Sequence, residues 1–240
     1  MTSVNNLRTK IFADGADLEA IRTLRANPLI KGFTTNPTLM RIAGIDDYEA
    51  FSKEVIEVVE GAPVSLEVFA DEFDAMEAQA RVIASWGSNV FVKIPVTNTK
   101  GESSAPLVRR LADQGVQVNV TAIFTLDQVR EVTDALSKDV AANVSVFAGR
   151  VADTGVDPVP HMRDAVSIVS AKPKAEVIWA SPRELLNLFH ADEAGCHIIT
   201  VTAGILDKLN LIGKDLSEYS LETVEMFRRD AVAAAYKIRV

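Results

Sequence analysis

The stretch Asn89-Val90-Phe91-Val92-Lys93-Ile94-Pro95-Val96 reads as a strand buried on both faces, with one lysine set among apolar residues. Taking a lysine out of water disfavours its charged form, and a neutral amine is the starting point of Schiff-base chemistry. The competing reading is a lysine at the end of its strand that snorkels to solvent or pairs with a carboxylate. What surrounds the octapeptide decides between them.

Working outward, runs of the same apolar, β-branched kind occur at 9–13, 32–35, 64–69, 116–120, 142–147, 176–179 and 197–201, which makes eight with 90–94. Between them lie amphipathic segments with helical spacing, at 17–25, 46–59, 72–85, 105–114, 125–136, 158–169 and 182–191. Strict alternation implies a parallel sheet covered by helices. Eight such units predict an α/β fold, a single (β/α)8 TIM barrel over residues 1–240. An open doubly wound sheet would show a glycine-rich phosphate loop after its first strand, and Asp14-Gly15-Ala16-Asp17 carries one glycine. Beyond the eighth run, 203–209 and a polar link lead to a final helix at about 221–238, with Val224, Phe227, Ala231 and Ile238 on its apolar side. Packing on the barrel surface is the expectation for this helix, with docking on a neighbouring subunit or gating of substrate as alternatives.

Composition narrows the function. With 48% apolar residues the chain can bury one large core, and its net charge of −8 would repel a phosphate backbone, which argues against nucleic acid. An anionic substrate must therefore meet a local cluster of Arg or Lys. The lone Cys196 cannot form an internal disulfide and fits a reducing compartment. The amino terminus lacks the apolar core of a signal peptide, and no run reaches the ~20 apolar residues of a membrane span, so a cytoplasmic protein without membrane contact is expected. His161, His190 and His197 lack metal-ligand spacing, and no metal is expected, with a magnesium held loosely through carboxylates and substrate as the alternative.

In such a barrel the active-site groups come from the C-terminal ends of the strands. In or just after their C-terminal halves the runs carry, in order, Asp14; Thr34, Thr35 and Asn36; Glu67; Lys93; Asn119 and Thr121; Ser145; Ser181; and Thr200 and Thr202. A barrel core favours Val, Ile and Leu, so Glu67 and Lys93 stand out together. A buried ion pair kept for stability would be a weak reason for both. Joined by Asp14 and by several hydroxyls and amides, they read as an active site. For phosphate, Phe147-Ala148-Gly149-Arg150 follows the sixth run and Ala180-Ser181-Pro182-Arg183 the seventh, with Pro182 suited to the first position of a helix. Arg150, Ser181 and Arg183 are expected to form an anion cradle there, unless either arginine pairs with a surface carboxylate.

These residues carry a family likeness. From about Lys10 to Thr202 the chain resembles small members of the transaldolase family, which includes the fructose-6-phosphate aldolases. The motifs that carry it are Phe12-Ala13-Asp14, Thr34-Thr35-Asn36-Pro37-Thr38, Ser65-Leu66-Glu67-Val68, Val92-Lys93-Ile94-Pro95, Asn119-Val120-Thr121-Ala122-Ile123-Phe124, Ser145-Val146-Phe147-Ala148-Gly149-Arg150 and Ala180-Ser181-Pro182-Arg183. Single motifs are weak, but seven in order at this spacing are specific.

The resemblance implies a transferase of carbohydrate metabolism, in the pentose phosphate pathway, that passes dihydroxyacetone from a ketose phosphate to an aldose phosphate. By it, Lys93 matches the Schiff-base lysine, neutral at working pH, Asp14 the carboxylate that exchanges a proton with the hydroxyl beside the breaking bond, and Glu67 with Thr121 the pair that holds a catalytic water. Thr34, Asn36, Asn119, Ser145 and Phe147 match the substrate-binding positions, and Arg150, Ser181 and Arg183 the phosphate site. No cofactor is implied, since the imine is the electron sink, and a homo-oligomer is expected. Glu67 and Phe147 match the transaldolases, whereas the aldolase branch has Gln and Tyr there. Pro182 departs from the aromatic residue of larger transaldolases. The alternatives are an aldolase using free dihydroxyacetone and a non-catalytic barrel that binds sugar phosphates.

Overall fold

A computed structural model describes residues 4–239. Residues 1–3 and 240 of the expected domain lie outside the described residues. Among the described residues the eight strands are β1 (Lys10–Asp14), β2 (Ile30–Thr34), β3 (Val64–Glu67), β4 (Val90–Pro95), β5 (Val118–Ile123), β6 (Ala142–Val146), β7 (Ala175–Trp179) and β8 (Ile198–Thr202). Each pairs in parallel with the next, and β8 returns to β1, so the sheet closes into the expected (β/α)8 barrel. The covering helices are α1 (Leu18–Arg25), α2 (Pro37–Ile42), α3 (Tyr48–Val58), α4 (Phe73–Ala84), α5 (Ala105–Asp113), α6 (Leu126–Ala135), α7 (Ala148–Asp153), α8 (Pro158–Val169) and α9 (Asn187–Glu193). A short α10 (Ala203–Leu206) and the terminal α11 (Leu216–Ala233) follow β8.

The pleat sorts the side chains into two layers. Leu66, Val92, Ile94, Val120, Val144 and Val177 are fully buried in the layer between sheet and helices, which is the main apolar core. Their alternate neighbours Glu67, Lys93, Asn119, Thr121 and Ser145 face the other way, into the barrel. The apolar part of that interior is small, made by Phe12, Ile178, Ala180 and Ile198 with Phe147 against them. Gly32 sits opposite Phe12 because a Cβ there would lie 2.5 Å from the tip of its ring. The barrel interior thus holds a small apolar cluster around Phe12 beside the polar groups at its mouth.

Several expectations shift for physical reasons. β3 stops at Glu67 rather than 69, because β2 has left the sheet after Thr34 and turned into α2, which Asn36 caps. In β5 one extra residue enters between Val120 and Ile123, and Ala122 takes up φ +59° to absorb it. The helix expected from Pro182 opens only at Asn187. The loop before it is closed by Asn187 Oδ1, which accepts from the backbone N–H groups of Arg183 and Glu184.

The terminal helix runs 216–233 rather than 221–238, since Asp215 caps it through Ser217 and Glu218. None of its residues is buried, so the expected packing against the barrel is not found, and Leu216, Leu221, Val224 and Phe227 face solvent. No helix among the described residues is long and apolar enough to cross a membrane.

Candidate active site

Lys93 lies within β4, two residues before its end, and is only 8% exposed. Its Nζ donates to the Thr35 carbonyl at 2.8 Å and to Glu67 Oε2 at 3.2 Å. The cross-strand register explains the second contact, because Glu67 stands directly beside Lys93 on β3. Burial raises the pKa of Glu67, and the Lys93 charge opposes that rise only in part. The ion-pair alternative for Lys93 is therefore present, with the lysine placed as the charged partner of Glu67 rather than as the neutral amine expected. Glu67 is a carboxylate that takes up a proton more readily than usual, 3.2 Å from a lysine amine.

Asp14 supplies the second carboxylate, at the end of β1. It accepts from Thr34 Oγ1 at 2.7 Å and from Asn36 Nδ2 at 3.2 Å, and Thr34 Oγ1 in turn meets Thr200 Oγ1 at 2.5 Å. Burial again raises the pKa, with Lys93, Thr34 and Asn36 lowering it in that order. Thr34 and Asn36, expected to bind substrate, are thus placed as holders of Asp14. Asn36 does a second task, because its Oδ1 accepts from Leu39 N–H as the cap of α2. One side chain fixes both the helix start and the carboxylate.

A polar chain lines the opposite wall. Ser145 Oγ donates to Asn119 Oδ1 at 2.7 Å, and Asn119 Nδ2 donates to Ser65 Oγ at 2.9 Å, across the strand that bears Lys93. This fixes the amide of Asn119 without using all of its capacity. Thr121 is buried opposite Pro95 at the bulge of β5. Among the described residues it makes no direct side-chain hydrogen bond to Glu67 or Lys93.

The expected anion cradle is only half free. Arg183 forms a two-pronged ion pair with Asp153 of α7, which realises the surface-carboxylate alternative for that residue. Arg150 has no carboxylate partner among the described residues, and its guanidinium stands 5.4 Å above the Phe147 ring, which itself packs 5.7 Å from Phe124. Ser181 adopts φ +59° after β7. Gly149 lets these two segments touch, since a Cβ on it would fall 1.6 Å from the Ser181 carbonyl oxygen.

Sequence reasoning did not single out Tyr48. Its hydroxyl accepts from Glu67 N–H at 2.7 Å and donates to Glu67 C=O at 3.0 Å. No signal in the chain marks it, because it opens an ordinary amphipathic helix 19 residues before its partner. Thr200 was visible as a polar strand end, but its bond to Thr34 depends on barrel closure. Among the described residues no group of three metal-ligating side chains comes together.

Ionisable groups held out of water at the C-terminal ends of parallel strands define a barrel enzyme. The profile of the Transaldolase/Fructose-6-phosphate aldolase family matches residues 11–238. A protein named probable transaldolase 2 from Listeria monocytogenes is 37% identical over 201 residues, covering 83% of this chain and 88% of the relative. One named probable transaldolase from Methanococcus maripaludis is 34% identical over 222 residues, covering 89% of this chain and 99% of the relative. The chain belongs to the transaldolase/fructose-6-phosphate aldolase family and is an enzyme.

Solved structures show the fold alone. Dihydrodipicolinate synthase from Rhodopseudomonas palustris superposes with a TM-score of 0.51 at 16% identity, over 96% of this chain and 81% of that one. KGPDC from Streptococcus mutans does so with a TM-score of 0.56 at 10% identity, over 84% and 91%.

Proposed function

We propose that the protein is a transaldolase that moves a dihydroxyacetone unit from fructose 6-phosphate or sedoheptulose 7-phosphate to an aldose phosphate through a Schiff base on Lys93. The observation that carries this is the Lys93 amine, buried and 3.2 Å from a carboxylate that burial inclines to accept a proton. Family membership supports it.

The steps follow from the groups present. Glu67 takes a proton from Lys93, and the freed amine attacks the ketone carbon to form a carbinolamine. Loss of water, with protons passed by Glu67 through a water held by Thr121, leaves the protonated imine. Asp14 then removes the C4 hydroxyl proton, the C3–C4 bond breaks, and its electron pair enters the imine to give an enamine. The aldose phosphate leaves and another arrives. Asp14 returns its proton as the new carbon–carbon bond forms, and hydrolysis frees Lys93. Asn119 and Ser145 face the bound dihydroxyacetone unit from the far wall, while Arg150 meets the phosphate.

Reductive trapping tests the reading. Incubation with fructose 6-phosphate and borohydride should add a reduced three-carbon adduct to Lys93 in the peptide mass map, and an unmodified Lys93 refutes the mechanism. The aldolase alternative predicts release of free dihydroxyacetone without an aldose phosphate acceptor. Glu67 and Phe147 favour transfer, so release in the wild type should be slow and should rise in Glu67→Gln. A cytoplasmic homo-oligomer acting in the pentose phosphate pathway accords with this reading, and sedimentation under assay conditions reads out the assembly.

A further inference from the structure

The backbone at the end of β3 has an unusual partner. In a parallel sheet a residue turns both its N–H and its C=O toward one neighbouring strand. Ser65 faces β2, since its carbonyl accepts from the Thr35 N–H, and Glu67, two residues on, faces the same side. By then β2 has ended and α2 has begun, so both peptide groups of Glu67 lack a strand to pair with.

Tyr48 fills that gap with a single hydroxyl. A phenol has one donor and can also accept, so one oxygen replaces both missing ladder bonds, at 2.7 Å to the N–H and 3.0 Å to the C=O. Its ring is clamped in turn, edge to face with Phe69 at 4.5 Å and tilted against Trp86 at 6.1 Å. Gln79 of α4 secures the next residues, its Oε1 accepting from the N–H groups of Phe69 and Ala70. On the outer side of Tyr48 lies a groove lined by Phe69, Val82 and Trp86, through which water would reach the strand end once the hydroxyl is gone.

We infer that Tyr48 is a positioning residue for Glu67: it pins the peptide of that residue at the unpaired sheet edge so that the carboxylate stays 3.2 Å from the Lys93 amine. It touches no reacting atom. The inference rests on the reading of Glu67 as proton carrier for Lys93.

The test compares wild type, Tyr48→Phe, Glu67→Gln and the double variant in steady-state transfer assays from pH 5 to 9, with a thermal melt of each. Tyr48→Phe keeps the ring and removes the hydroxyl, with its two hydrogen bonds to Glu67 and its interaction with the buried Ser52. Its kcat should fall about 10- to 100-fold, the scale of a catalytic group displaced by ~1 Å, with KM for the ketose phosphate within about twofold. The acidic limb of its rate profile should move to lower pH, as Glu67 gains water. The double variant should be no slower than Glu67→Gln alone, because a residue acting only through Glu67 has nothing further to lose. A wild-type kcat and pH profile in Tyr48→Phe, or a full extra loss in the double variant, overturns the inference.

If Tyr48→Phe does not fold, wild type grown on 3-fluorotyrosine answers instead. The Tyr48 fluorine resonance should titrate with the acidic limb and lose that titration in Glu67→Gln, and a resonance that ignores the limb overturns the inference. Borohydride trapping separates the two claims. No adduct on wild-type Lys93 refutes the Schiff-base reading, whereas an adduct with an unaltered Tyr48→Phe refutes positioning alone.

Discussion

Replacing Lys93 with Met removes the cation that both buried carboxylates share, and its consequence for stability can be worked from the geometry. At 3.2 Å the Lys93–Glu67 pair has a gross attraction of about 5 kcal/mol for an effective dielectric near 20. Removing one partner of a buried pair commonly costs about 3–5 kcal/mol. For a chain of this size that is a drop of ~6–20 °C in Tm at neutral pH. The sign with pH is specific. Asp14 and Glu67 already have raised pKa values from burial, and Lys93 is the strongest influence lowering each. In Lys93→Met both rise further above their unfolded values of about 3.9 and 4.3. A raised folded pKa gives stability that is present below the unfolded pKa and lost as pH climbs through the folded one. The variant should therefore lie close to wild type near pH 5 and fall furthest behind near pH 8. Melts by circular dichroism across that range, with an intact far-UV spectrum and no trapped adduct, check it. A Tm deficit that is the same at both ends, or absent at pH 8, refutes the account of two burial-strained carboxylates relieved by one lysine.

Other outcomes follow from the same site. The acidic limb of kcat/KM should lie above the ordinary carboxylate range, because Glu67 and Asp14 must be ionised to act as bases and burial raises both; Glu67→Gln should remove part of that limb in a pH–rate series. Arg150→Ala should raise KM for phosphorylated substrates about 10- to 100-fold, the worth of a charged hydrogen bond of about 1.5–3 kcal/mol. Arg183→Ala should raise it much less, since Arg183 is committed to Asp153, and kinetics on the pair of variants decides between them. Gly149→Ala would place a Cβ 1.6 Å from the Ser181 carbonyl and force α7 and the β7 loop apart, so KM for sugar phosphates should rise together with a loss of about 1–3 kcal/mol in denaturant unfolding.

The barrel itself was legible because its rule is local. A strand with both faces covered has to be apolar along its length, so Lys93 and Glu67 announce themselves within their own short runs. The order of strand-end polar groups, Asp14 through Thr202, follows from chain direction, and the motifs around them carried the family. Where hydrogen bonds at a strand end depend on a neighbour's path, the sequence was mute. It could not show β3 stopping at Glu67, because the stop is caused by β2 bending away into α2.

Partner choice was equally beyond it. Arg150 and Arg183 are alike as letters, and only the packing of α7 against the β7 loop gives Arg183 to Asp153 and leaves Arg150 above Phe147. That Thr34 and Asn36 also hold Asp14 depends on barrel closure, which brings β1, β2 and β8 to one point. Tyr48 lies on a helix with nothing unusual in its pattern, yet it completes the sheet edge at Glu67. The sequence by itself determined which residues had to be buried and which ionisable groups were buried with them, because burial is written in a period of two or of 3.6. The tertiary structure decided how each buried charge is paired and held, because hydrogen bonds and ion pairs act over about 3 Å between groups that the chain separates by tens of residues.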